Sequence, residues 1–98
     1  MSVAYSSGAW KAKEGEGEEF VAAWTEFARW LSTMPGAGTA CLTRDVSDPQ
    51  RYLSFAPWES AEAMQAWKSD PEFRERMGAV QKHVAEFTPS EFELVAEV

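Results

Sequence analysis

The sequence predicts an α+β domain with elements in the order β-α-β-β-α-β. Three observations carry that expectation. Phe20, Trp24, Phe27, Ala28 and Leu31 recur at helical spacing, and so do Phe73, Met77, Val80 and Val84. Other stretches, above all Glu91 to Val98, alternate as strands do. Turn residues stand between these runs: Glu14 to Gly17, Met34-Pro35-Gly36, and Asp45 to Pro49.

Val3 to Lys13 is the first strand. One parity carries Val3, Tyr5, Ser7 and Ala9, the other Ala4, Ser6, Gly8, Trp10 and Ala12. Neither is strongly polar, so both faces are expected to be covered. Gly8 marks a bulge or a close approach by another group. The first helix starts near Glu16 or Glu18 and runs to Ser32. The acidic run Glu14 to Glu19 suits the positive end of the helix dipole and reads as a solvated start. Trp30 lies on the flank of the apolar stripe.

Ala37 to Val46 is the second strand and Arg51 to Ala56 the third, joined by DVSDP turn chemistry into an antiparallel hairpin. Tyr52 to Trp58 has aromatic-rich strand character that Pro57 ends. Ser60 then caps a short helix whose apolar face is Ala63, Met64 and Trp67. A longer helix restarts at once, either with Asp70 as cap and Pro71 at its first position or through a Ser69–Glu72 capping box. It is expected to fray near Glu86. Thr88-Pro89-Ser90 reads as a turn, and Phe92, Leu94, Ala96 and Val98 as the inner side of a half-buried last strand.

This order is the ferredoxin-like, split βαβ pattern. A four-stranded antiparallel sheet carries both helical segments on one face. The other face needs cover, and a second copy of the chain is the simplest one.

The 98 residues make one domain, 1–98, with no room for two. With 9 basic and 16 acidic residues the net charge is −7, and no basic face offers itself to nucleic acid or an anionic membrane. The one cysteine, Cys41, excludes an internal disulfide and reads as a small buried hydrophobe. No stretch resembles a signal peptide and none approaches the ~20 apolar residues of a membrane span, so the expected compartment is the cytoplasm. His, Cys and carboxylates show no metal-ligand spacing. Gly-rich phosphate loops and a serine elbow are not found.

The chain resembles the antibiotic biosynthesis monooxygenase family of the dimeric α+β barrel superfamily. The likeness rests on Lys13-Glu14-Gly15 followed by Glu18-Glu19-Phe20, on Pro35-Gly36, and on Asp48-Pro49-Gln50-Arg51-Tyr52. It rests most on Phe55 to Phe73, FAPWESAEAMQAWKSDPEF. The resemblance implies a homodimer whose sheets face each other. It also implies a pocket between helices and sheet, and oxidation of a planar phenol or quinol by molecular oxygen with no metal or flavin. A haem-degrading branch pairs a tryptophan with a histidine ten residues on. Trp67 matches the first, but Met77 stands at the second, and the first strand holds no asparagine. The imidazole that would hold iron is missing.

His83, the lone histidine, is the candidate general base. Trp67 is the candidate aromatic wall. Tyr52 offers a hydroxyl to a phenolate, as Tyr5 does, and Arg44 or Arg51 a positive charge. Ser6 and Ser7 sit where relatives often place a polar first-strand residue. Trp58, Trp10, Trp24 and Trp30 read as core. Oxidation of an electron-rich anion by oxygen needs only a base, an apolar pocket and stabilisation of the anion. The same pocket suits a non-catalytic binding module, or an isomerase or cyclase, and these alternatives stay open.

Overall fold

The computed structural model describes residues 3–98. The elements run β1 (Ala4–Ala12), α1 (Gly17–Leu31), β2 (Cys41–Arg44), β3 (Arg51–Trp58), α2 (Ala61–Lys68), α3 (Phe73–Gln81) and β4 (Val84–Glu93). The sheet order is β2-β3-β1-β4, and every neighbouring pair is antiparallel. This is the expected α+β, ferredoxin-like arrangement.

In β1 the parity Ala4, Ser6, Gly8, Trp10 and Ala12 is buried under the helices, and β3 contributes Tyr52, Ser54, Ala56 and Trp58 to the same layer. The stripe of α1 closes on it through Phe20, Phe27 and Leu31. Phe20 and Trp58 are among the side chains sealed completely from solvent. Phe20 packs at 4.8 Å on Tyr52 and 5.4 Å on Trp10, centroid to centroid. Burial of such a ring stabilises by about 1.5–3 kcal/mol.

Local chemistry sets the element ends. Asp45 Oδ1 accepts from the backbone N–H of Ser47 and Asp48, and Asp48 Oδ1 from that of Gln50, which builds the β2–β3 turn. Gly36 adopts φ +83°, where a Cβ would also lie 2.8 Å from Ala63 and Glu59. Ser60 Oγ accepts from Ala63 N–H and caps α2. Asp70 Oδ1 accepts from Glu72 N–H at 2.8 Å, and its carbonyl from Phe73 N–H, so the chain restarts as α3.

Several expectations are corrected. β2 is shorter than Ala37 to Val46. β3 passes through Pro57 to Trp58, because the Pro57 carbonyl still accepts from Gly38 N–H at 2.8 Å and Pro57 keeps its register opposite Tyr5. The helix ends at Gln81, not near Glu86. β4 then begins at Val84 and runs straight through Thr88-Pro89-Ser90, which is not a turn. Pro89 pairs opposite Gly8 on an edge strand, where a missing N–H costs little. Leu94 to Val98 is not strand.

The face away from the helices is open. Leu53, Phe55 and Phe92 are exposed there. Cys41 is exposed too, opposite Phe55, and is not the buried hydrophobe expected. Among the described residues no helix is long and apolar enough to cross a membrane.

Candidate functional site

A cavity of about 220 Å3 lies between the helices and the sheet. Its floor comes from the buried parity of the two central strands: Ser6, Gly8 and Trp10 of β1, Ser54 and Ala56 of β3. Trp24, Phe27 and Leu31 of α1 form one wall. Trp67 and Lys68 of α2, with Phe73 and Met77 of α3, form another. The contrast in size makes the space. Serine, glycine and alanine side chains on the floor stop well short of the rings above them.

Trp67 is 4% exposed and stacks on Trp58 at 5.0 Å, 27° between planes, with Phe73 edge-on at 4.9 Å. Among the described residues its Nε1–H has no acceptor. A buried donor left unpaired costs about 1–3 kcal/mol, so the position is unusual.

The floor serines are each tied to a tryptophan of the other strand. Trp58 Nε1–H donates to Ser6 Oγ at 3.0 Å, and Trp10 Nε1–H to Ser54 Oγ at 2.8 Å. In sequence both strands read Ser-x-x-x-Trp, at 6–10 and 54–58, and the antiparallel pairing exchanges their partners. Gly8 makes room for the second exchange. A Cβ there would meet Trp10 Nε1 at 2.7 Å and Phe87 Cε1 at 2.9 Å. Trp10 and Phe87 stack at 4.1 Å over it.

Lys68 is the ionisable side chain in the lining. Glu91 holds its ammonium at 2.7 Å. The hydrogen bond from Lys68, reinforced by one from Gln65, keeps the Glu91 carboxyl below its ordinary value.

The structure brings Trp67 and Ser6 together in this cavity. It places Tyr52 and Arg44 elsewhere, on a surface cleft shared with Lys13, Gly17 and Gln50. The Tyr52 ring is buried against Phe20, and Arg44 is exposed. His83 follows α3 and lines neither space. Its Nδ1 lies 2.9 Å from Glu16 Oε1 at the start of α1. Trp24, Phe27, Met77 and Ser54 line the cavity although the sequence singles none of them out as a site. The repeated Ser-x-x-x-Trp spacing is the one signal in the sequence that could have found Ser54.

Among curated proteins, none matches this chain in sequence at a significant level. Several solved structures share its fold. SnoaB, a cofactor-independent oxygenase from Streptomyces nogalater, is 17% identical with a TM-score of 0.82, over 100% of this chain and 96% of that one. A candidate antibiotic biosynthesis monooxygenase from Bordetella bronchiseptica is 19% identical with a TM-score of 0.84, over 100% of both chains. A conserved protein from Methanosarcina mazei Go1 is 11% identical with a TM-score of 0.82, over 94% and 92%. At these identities the likeness fixes the fold alone. Residues 6–79 match the family model for antibiotic biosynthesis monooxygenase, a span that runs from within β1 into α3 and takes in nearly the whole cavity lining, and the chain belongs to that family.

Proposed function

We propose that the chain is a cofactor-independent oxygenase that binds a small planar phenol or quinol in the cavity between helices and sheet. The observation that carries this reading is the cavity itself, with aromatic walls above and hydroxyls on the floor. Flat rings suit the walls, and the serines suit the oxygen that such a ring carries. The proposed reaction needs no outside reductant. The deprotonated substrate gives electrons to oxygen and one oxygen atom enters as a new carbonyl. The other leaves as water with the two hydrogens lost from the substrate. The protein's part is to exclude water, hold the ring and stabilise the anion.

His83 lines no part of this cavity, and its pairing with Glu16 ties α1 to the end of α3. Turnover in His83→Ala is expected to match the parent. A drop of tenfold or more in kcat would return His83 to the role of base.

The test is oxygen uptake by the metal-free protein with hydroquinones, naphthols and anthrones. Uptake above the spontaneous rate, diminished in Phe27→Ala, supports the proposal. No uptake across the panel, with a ligand co-purifying unchanged in air, would establish a binding module instead. The near-absence of ionisable groups from the lining is what keeps that second reading in view.

We further propose a homodimer joined through the open sheet face, where Leu53, Phe55 and Phe92 leave apolar surface in water.

A further inference from the structure

We propose that Trp58 and Trp10 are positioning residues that fix the floor serines as hydrogen-bond donors, so that the cavity binds its ligand through an acceptor oxygen and prefers the deprotonated phenol to the neutral one. This inference rests on the cavity being the binding site.

A serine hydroxyl has one proton and two lone pairs. At Ser6, 8% exposed, the indole N–H of Trp58 fills one lone pair. Its proton finds no acceptor among the described residues, whereas Ser7 gives its own proton to the Ser54 carbonyl. At Ser54 the nearest acceptor is the Gly8 carbonyl, at a long 3.5 Å. Trp58 is 1% exposed and clamped by Trp67, so its N–H cannot leave Ser6 without disturbing the core. The Ser6 proton and the weakly held Ser54 proton are donors in want of an acceptor. A phenolate or quinone oxygen supplies what they lack, and a neutral phenol, which brings a proton of its own, satisfies them less well. The wider field pulls the other way. A net charge of −7 repels an anion, and the ammonium of Lys68, the cation of the lining, is already held by Glu91 at 2.7 Å, so the anion preference falls to these local donors.

The test uses 4-nitrophenol, whose phenolate absorbs in the visible, titrated free and bound without reference to oxygen. The parent protein is expected to favour phenolate over phenol by about tenfold, the worth of one hydrogen bond to a charged acceptor. Ser6→Ala and Trp58→Phe should each lose most of that preference while neutral-phenol affinity changes little. The double variant should lose no more than Ser6→Ala alone. Ser6→Thr, which keeps the hydroxyl, should retain it. A preference that survives in Trp58→Phe, or equal loss of both forms, would overturn the positioning role. If Trp58→Phe does not fold, Ser6→Ala decides, and retention of the preference there overturns the proposal. Failure of the parent to bind either form would instead bring down the cavity as the binding site.

Discussion

Two buried tryptophans, stacked 5.0 Å apart, differ in one respect that stability measurements can isolate. Trp58 is 1% exposed and Trp67 4%, so replacing either with phenylalanine removes the same atoms from a comparably buried place. The transfer and cavity costs of the lost ring should therefore be similar. The N–H groups are not. Trp58→Phe breaks the 3.0 Å bond to Ser6 Oγ, a net loss of about 1 kcal/mol. Trp67→Phe removes a donor that has no partner among the described residues and that solvent does not reach, and relieves about 1–3 kcal/mol of desolvation cost. The two effects have opposite sign, so Trp67→Phe should be the more stable variant by at least about 2 kcal/mol, roughly 10 °C in Tm for a domain of this size. Urea unfolding of ligand-free protein at one fixed concentration measures the difference. Adding Ser6→Ala should show coupling of about 1 kcal/mol to Trp58→Phe and none to Trp67→Phe. If Trp67→Phe is as destabilised as Trp58→Phe, or more so, the N–H bookkeeping is wrong.

Three other perturbations follow from particular contacts. Gly8→Ala sets a methyl 2.7 Å from Trp10 Nε1 and 2.9 Å from Phe87, so it should cost about 1–3 kcal/mol in chemical unfolding and loosen the Trp10–Phe87 stack. A variant as stable as the parent would show that the stack yields freely. Leu53→Glu puts a charge on the open sheet face, and light scattering should then give the 11.0 kDa monomer mass where the parent gives twice that. A parent that is monomeric at micromolar concentration would end the dimer proposal. The Glu91 carboxyl is held below its ordinary value by Lys68 and then Gln65, so its contribution to stability is complete above the ordinary glutamate range and disappears as pH falls through the lowered value. Glu91→Gln should flatten the acid side of the stability profile, and an unchanged profile would leave that pairing without energetic weight.

The fold was legible where local chemistry and tertiary demand agree. The stripe of α1 repeats at helical spacing, and the Asp45–Asp48 turn and the Ser60 cap lie within a few residues of what they act on. The end of the chain was not legible in that way. Thr88-Pro89-Ser90 carries turn residues, yet β1 needs a partner on its free side, and an edge strand tolerates a proline opposite Gly8. The alternation of Phe92 to Val98 likewise gave way to pairing that had already begun at Val84. Tertiary need overrode a local preference in both cases.

The site divides along similar lines. His83 and Glu16 meet across 67 residues, and no spacing in the chain announces that pairing. Trp24, Phe27 and Met77 belong to helical stripes, and a stripe alone cannot say whether it closes on a core or on a space. The answer lies on the opposite layer. The buried parity of β1 and β3 offers Ser6, Gly8, Ser54 and Ala56 beneath Trp24, Phe27 and Trp67. Interiors pack at crystal-like density, so a floor of small residues under large rings is a costly way to build a core. It is an economical way to build a pocket for a flat molecule. The two Ser-x-x-x-Trp segments supply that floor together with its hydrogen bonds, and they turn a gap in the packing into a site with a chemical preference.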